Sequence, residues 1–331
     1  MRHGKMLAGL IFVGVILLSL WPQVGRADEG NSRQTMDDAW WTGPLLAAAA
    51  PTLPPGHFLF EPYFFDSIPF ARFDSHGVAH AVPQENSFGS FSYLLYGVAD
   101  RFTMGIIPRF GYRQTDSGKS SSTLQLGDWS LQGQYQFTQF EEGHLLPTIS
   151  LNVMETFPTG KFDQLERGSD GFGAGAYTTT VSLYSQSYFW MPTGRILRTR
   201  LNVSYASSSR VAVTNMSVYG TDIGFLGDAS PGSSLYGDLA FEYSITRNWV
   251  AAIDFWAEQD NSTHVTGMDS RNGQVTPLAS NSGTGRLLYV APALEYDLNG
   301  NLGVIVGARI TAWARNETAT ATPVIAINYV H

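Results

Sequence analysis

Arg198 and Arg200 alternate with Leu197, Thr199, Leu201, Val203 and Tyr205, while Asp238 and Glu242 alternate with Leu235, Leu239, Phe241, Tyr243 and Ile245. Successive side chains of an extended strand point to opposite faces, so each charged pair shares a face opposite to the one these oily residues occupy. The same reading puts Glu61, Arg109, Arg113, Asp128, Asp254, Glu258, Glu295, Arg309 and Arg315 on polar faces. Basic residues dominate the third, seventh and eleventh extended segments, and acids the eighth and ninth. Charges segregated in this way could neutralise one another and fill an interior, or set a transverse field that orients polar solutes. The sequence leaves both open.

Other groupings carry less. His76 and His80 have a spacing that binds metal on a helix, but they lie in a segment with Gly77 and Pro83 and have no third ligand at a telling interval. A solvated loop is expected there, and no metal. A hydrolase built on a barrel wall would need a mid-strand His beside a Ser on the lipid face; His57, His76, His80, His144, His264 and His331 do not supply one, so no enzyme is expected. Gly171-Phe172-Gly173-Ala174-Gly175 lacks the third-glycine spacing of a nucleotide loop and no helix follows it. Its glycines are expected to permit a close approach where a loop re-enters the wall. The chain has no cysteine, which excludes disulfides and thiolate metal sites, and no cofactor is expected.

The elements that must carry the charges have a plain signature. Phe102, Met104, Ile106, Pro108, Phe110 and Tyr112 alternate with Thr103, Gly105, Ile107, Arg109, Gly111 and Arg113, a period-two pattern sustained over twelve residues. Trp129, Leu131, Gly133, Tyr135 and Phe137 alternate likewise with Asp128, Ser130, Gln132, Gln134 and Gln136. Both runs exceed the five or six residues of an average soluble strand and match the ~9 to 11 tilted residues that cross a bilayer. Strands are expected near 57–65, 87–98, 102–113, 125–138, 146–157, 174–190, 196–207, 234–245, 249–259, 286–297, 302–314 and 320–331. Twelve is an even number, as a closed bacterial barrel with both termini on one side requires.

The connections alternate in length. Residues 100–101, 141–144, 192–195, 247–248 and 299–301 are short turns of Asp, Asn, Gly or Pro, while 66–86, 114–124, 158–173, 208–233 and 260–285 are long polar loops. Short turns at one end and long loops at the other are the mark of an outer-membrane barrel, periplasmic and extracellular respectively. Tyr112, Trp129, Phe137, Tyr205, Tyr243, Trp249 and Tyr296 fall near strand ends, where interfacial girdles form. The chain ends in an amphipathic segment, with Ile325, Ile327 and Tyr329 alternating with Val324, Ala326, Asn328 and Val330; such a strand closes a barrel and is the one the barrel-assembly machinery reads, although His331 departs from the usual terminal Phe.

Composition agrees. Of 331 residues 44% are hydrophobic and only 15% charged, against the quarter usual in soluble domains. Arg2 and Lys5, an apolar stretch from Leu7 to Trp21, and Gly25-Arg26-Ala27 read as a secretory signal peptide over residues 1–27. Without Arg2, Lys5 and Arg26, 17 basic residues face 28 acidic ones, a net charge of −11. That balance argues against nucleic acid as a partner. No later apolar run reaches spanning-helix length, so a helical membrane protein is excluded.

Two blocks carry a family resemblance. Trp41-Thr42-Gly43-Pro44-Leu45-Leu46-Ala47 with Pro54-Pro55-Gly56-His57 and Glu61-Pro62-Tyr63 forms the first, and Phe157-Pro158-Thr159-Gly160-Lys161-Phe162 with Gly171-Phe172-Gly173-Ala174-Gly175 the second. They resemble bacterial outer-membrane proteins known as putative transporters of the meta pathway of phenol degradation. The resemblance implies a small-molecule channel with aromatic compounds as suggested solutes.

The expectation is therefore an all-β chain: a signal peptide at 1–27, a periplasmic or plug segment at 28–56, and an antiparallel up-and-down transmembrane β-barrel of about twelve strands at 57–331. Its expected location is the outer membrane of a Gram-negative bacterium, in contact with lipid. Twelve strands enclose a caliber between the filled interior of eight and the aqueous pore of sixteen. The expected function is passive uptake of small hydrophobic or aromatic molecules; the alternative is a structural or adhesive barrel with a closed lumen.

Overall fold

The computed structural model describes residues 33–331, apart from residues 84, 117 and 271–273. The expected signal peptide at 1–27 lies outside the described residues, as do residues 28–32 of the segment after it. Twelve long strands follow one another around a closed sheet: β1 Phe58–Phe73, β2 Glu85–Ala99, β3 Phe102–Ile107 continued by Arg109–Thr115, β4 Trp129–Gln136, β5 Thr148–Phe157, β6 Thr178–Trp190, β7 Ile196–Ser208, β8 Ser234–Ser244, β9 Trp249–Asp260, β10 Gly285–Asn299, β11 Leu302–Arg315 and β12 Thr318–Val330. Every pair is antiparallel, and β1 pairs with both β2 and β12, which closes the barrel. Closure leaves no wall strand with an unpaired edge, the condition for a sheet to lie in hydrocarbon.

The alternation read from the sequence sets which side of the wall each residue faces. Leu201, Val203, Leu239, Phe255, Leu183 and Val306 are exposed, while Ser130, Gln134, Asn152, Ser182, Asn202 and Glu242 are buried. A soluble domain does the reverse, so the solvent of the exposed face is lipid. Tyr135 with Phe137 and Trp249 with Tyr296 make aromatic pairs near the short-turn end, at ring-centroid distances of 5.2 and 4.6 Å. That end holds both termini of the barrel, with Phe58 N–H donating to the His331 carbonyl at 3.0 Å.

Three departures have local causes. The third strand is split at Pro108, which has no N–H to donate to a ladder. The first strand runs on to Phe73 through a bulge at Phe70, so the loop expected to begin at 66 begins eight residues later. Segments 208–233 and 260–285, expected as loops, contain a four-stranded sheet of Val211–Thr214, Phe225–Ser230, His264–Asp269 and Thr276–Asn281. Its inner face packs Val211, Val213, Phe225, Ala229 and Val265 together with Ala176. Ser, Thr, Asn and Gly crowd these segments and dilute the period-two signal.

Candidate functional site

Six of the charged residues singled out in the sequence come together inside the barrel. Arg198 is in register with Glu242, and Asn202 with Asp238, across β7 and β8; Asp254 on β9 and Glu295 on β10 extend the group. All six charged side chains are nearly or fully sealed from solvent. The Arg198 guanidinium binds the Glu242 carboxylate through Nε at 2.7 Å and through a second, shorter contact, and Arg200 Nε lies 3.1 Å from the same carboxylate. Both arginines thus converge on Glu242, and Asp238, expected to share them, is left with neither oxygen hydrogen-bonded. Asp297, which the sequence reading did not pick out, adds a fifth buried carboxylate to two guanidiniums.

Donors for these acids come from residues 34–56, a strap with little regular structure of its own. It starts at the short-turn end, where Gln34 and Trp40 donate their N–H groups to the carbonyls of Gly194 and Arg247. It then enters the barrel. Thr42 and Gly43 N–H both donate to Glu295 at 2.9 Å, the Thr42 hydroxyl donates to Asp297 at 3.0 Å, and Leu45, Leu46 and Ala47 N–H donate to Asp254 at 3.1, 3.4 and 3.1 Å. In return its carbonyls accept from the wall: Ala47 from Arg200 at 2.8 Å, Ala48 from Asn202 at 3.1 Å, and Ala49 and Ala50 from Gln134 at 3.0 and 2.9 Å. Thr52 and Leu53 reach Gln136 and Thr103 on the opposite wall, and Gly56 N–H meets the Gly97 carbonyl at the rim. Gly43 has φ +126° and stands where a Cβ would come within 3.3 Å of the Arg200 guanidinium, so this turn needs glycine.

The strap touches the wall mainly through its backbone. Leu45 is the chief exception, buried with Tyr63, Ala291, Ile305 and Ala326, and Trp41 lies under the Arg198 guanidinium at 4.5 Å.

On the long-loop side of the strap the lumen changes character. Tyr236 and Trp256 stack at 4.8 Å with their rings 18° apart, and Tyr63 and Phe91 stack at 4.6 Å. Tyr93 meets Phe91 edge-on at 5.6 Å, and Tyr236 lies in register with Ser204 of β7. Tyr93 and Tyr184, from different walls, lie within electrostatic reach of Tyr236. These inward aromatics were missed in the sequence. Parity could have found them, since Tyr236 has the parity of Asp238 and Trp256 that of Asp254.

The remaining sequence-selected residues are spread along the wall. Glu61 accepts from Asn328 at 3.0 Å, and Glu258 from Trp256 Nε1 at 3.0 Å. Arg309 lies over the Tyr289 ring at 4.7 Å. Arg109 faces inward opposite Phe91 and is exposed. Arg113 pairs with Glu85 at 3.0 Å near the long-loop end. Asp128 accepts from Gly160 and Ala174 N–H at 2.8 and 2.6 Å, tying the 158–174 loop to the wall where Gly173 meets the Gly160 backbone. Arg315 is a correction: a bulge at Ala312 reverses the alternation, so Arg315 lies opposite Arg286 on the exposed rim and donates to the Ser75 carbonyl. His80 Nε2 donates to the Asp74 carboxylate at 3.0 Å in a turn outside the wall, and that contact together with the Val78 N–H holds the Asp74 carboxyl down to about 2. His76 contributes its backbone N–H to the same carboxylate.

No protein-family model matches the sequence, and no curated protein matches it. Among solved structures the chain is similar to an outer-membrane channel from Pseudomonas putida F1, with a TM-score of 0.66 and 13% identity over 87% of this chain and 100% of that one. Looser similarities are to the β domain of the Bordetella autotransporter BrkA (TM-score 0.47, 8% identity, 83% and 100% covered) and to a deletion mutant of the monoaromatic hydrocarbon channel TodX (0.46, 13%, 91% and 97%). The fold is that of a bacterial outer-membrane β-barrel, closed by twelve antiparallel strands.

Proposed function

We propose that this chain is an outer-membrane channel through which small apolar or aromatic molecules enter passively, and that residues 34–56 are the plug that closes it. The observation that carries the reading is the two-part lumen. An aromatic chamber lies on the long-loop side, and below it a strap is held by backbone hydrogen bonds to wall side chains, with Leu45 as its one large fully buried apolar side chain among small alanines. A structural filler would be expected to bury oily side chains, because hydrophobic burial is the larger stabilising term. A segment tied by hydrogen bonds, each worth about 0.5–1.5 kcal/mol net between neutral groups and about 1.5–3 kcal/mol to a charged one, can exchange them for water and be withdrawn. The likeness to transporters of the meta pathway of phenol degradation supports the same solute class, since its first motif, Trp41 to Ala47, is the strap itself. Signal peptide, outer-membrane insertion and recognition of the last strand by the assembly machinery belong to this proposal.

Planar-bilayer recording of the mature chain tests it. Discrete conductance steps whose open probability rises when the strap is deleted are the expected result. A silent barrel, with and without residues 34–56, would favour the closed structural or adhesive alternative.

A further inference from the structure

The charges of the aromatic chamber differ in whether a solute could reach them. Asp238 is 2% exposed and sealed beside the strap, and Glu258 already accepts from Trp256 Nε1. Arg109 is the opposite case. Its register with Phe91 turns it inward, seven positions after β3 begins at Phe102 and well inside the wall, yet its side chain is exposed. An exposed inward side chain at that depth borders open space. Among the described residues no hydrogen bond or ion pair engages its guanidinium, while Tyr93 and Tyr236 lie within its electrostatic reach from two walls.

We propose that Arg109, with Tyr93 and Tyr236, forms a binding site for monocyclic aromatic anions, the carboxylate of the solute taking the guanidinium and its ring the tyrosines. The guanidinium presents parallel donors that match a carboxylate in two-point contact, and it is permanently charged. The aromatic side chains supply the stacking and edge contacts that a benzene ring requires. An aromatic cation would meet an unpaired guanidinium here, and the acid that also reaches Tyr236, Glu258, already accepts from Trp256, so the chamber favours anions although the barrel as a whole is acidic. This site deepens the channel reading and rests on it only for the route by which solute arrives.

The test is equilibrium binding to the purified full chain in detergent, followed by the fluorescence of Trp256 against the remaining tryptophans, with benzoate, benzyl alcohol, benzylammonium and acetate as probes. Benzoate should bind more tightly than the other three. Arg109→Gln should weaken benzoate about tenfold or more, the loss of a charge-assisted pair, and leave benzyl alcohol unchanged; Arg109→Lys should recover part of the loss. Benzylammonium binding as tightly as benzoate in the unaltered chain would overturn the proposal without any variant, and so would an Arg109→Gln barrel that binds benzoate normally. Binding in detergent needs no conduction. A chain that passes no current yet binds benzoate through Arg109 refutes the channel and keeps the site; a conducting chain with no Arg109 dependence refutes the site alone.

Discussion

Asp254→Ala separates a strap that plugs from a strap that merely fills. Asp254 is fully buried on β9 and accepts three consecutive backbone N–H groups, those of Leu45 and Ala47 at 3.1 Å and that of Leu46 at 3.4 Å. The two shorter bonds are well made, and the third is long for a hydrogen bond. Removing the acceptor strands two buried donors at about 1–3 kcal/mol each, so docking of the strap should weaken by about 2–6 kcal/mol. At about 1.4 kcal/mol per tenfold, its docked-to-withdrawn ratio falls by a factor between about 30 and about 20,000. The wall itself should not suffer, because the substitution takes a carboxylate out of a cluster that holds five of them against Arg198 and Arg200. The expected outcome is a barrel that still migrates anomalously in unheated detergent gels, conducts far more often in planar bilayers, and is cut by protease within residues 42–50. Glu295→Gln keeps an oxygen for Thr42 and Gly43 and should behave as the unaltered chain. If the Asp254→Ala barrel assembles but matches the parent in both conductance and protease resistance, the strap is a fixed part of the core and the plug argument fails.

Adjacent residues of β5 test the two faces of the wall: Val153→Arg, facing lipid in the middle of its strand, should cost about 2–4 kcal/mol of assembly, whereas Met154→Arg, facing the chamber, should assemble. Equal folded fractions for the two in urea titrations would show the inward and outward assignment to be wrong. Replacing Arg198 and Arg200 together by Gln strands the fully buried Glu242, for which the loss of one partner alone costs about 3–5 kcal/mol, so the folded fraction should collapse and recover when Glu242→Gln is added. A double mutant that assembles normally and changes only its reversal potential under a salt gradient would instead make these arginines part of an open permeation path.

The wall was legible because its physics repeats. Each strand states its two faces every second residue, and a run such as Leu197 to Tyr205 gives face, length and neighbours at once; β7 begins and ends within one residue of where the pattern places it. The breaks were not legible, because a bulge is a local accommodation with no composition of its own. That at Ala312 moved Arg315 from the lumen to the rim. The four-stranded sheet of the long loops escaped notice for a related reason: Gly227 and Gly267 pack backbone to backbone, so no side-chain pattern announces the pairing.

The strap presents a harder case, and it bears on how the lumen should be read. Most of its contacts are backbone N–H and C=O groups meeting wall side chains, which many sequences could make and none advertises. Only Gly43, with its positive φ, and the small residues Ala47 to Ala50 betray a segment threaded through a narrow space. The specificity lies in the wall, in the excess of carboxylates on β8, β9 and β10 that first looked like half of a transverse field. With the strap in place Asp254 and Glu295 are answered by peptide N–H groups and Asp297 by the Thr42 hydroxyl, Glu242 holds both arginines, and only Asp238 keeps two unanswered oxygens. The charge segregation therefore serves both of the roles it could have served, at different depths. Beside the strap Asp254 and Glu295 act as an adhesive for backbone, while in the chamber beyond it Arg109 is, among the described residues, an exposed charge with no hydrogen bond or ion pair, placed where the proposed site would meet solutes before they reach the plug.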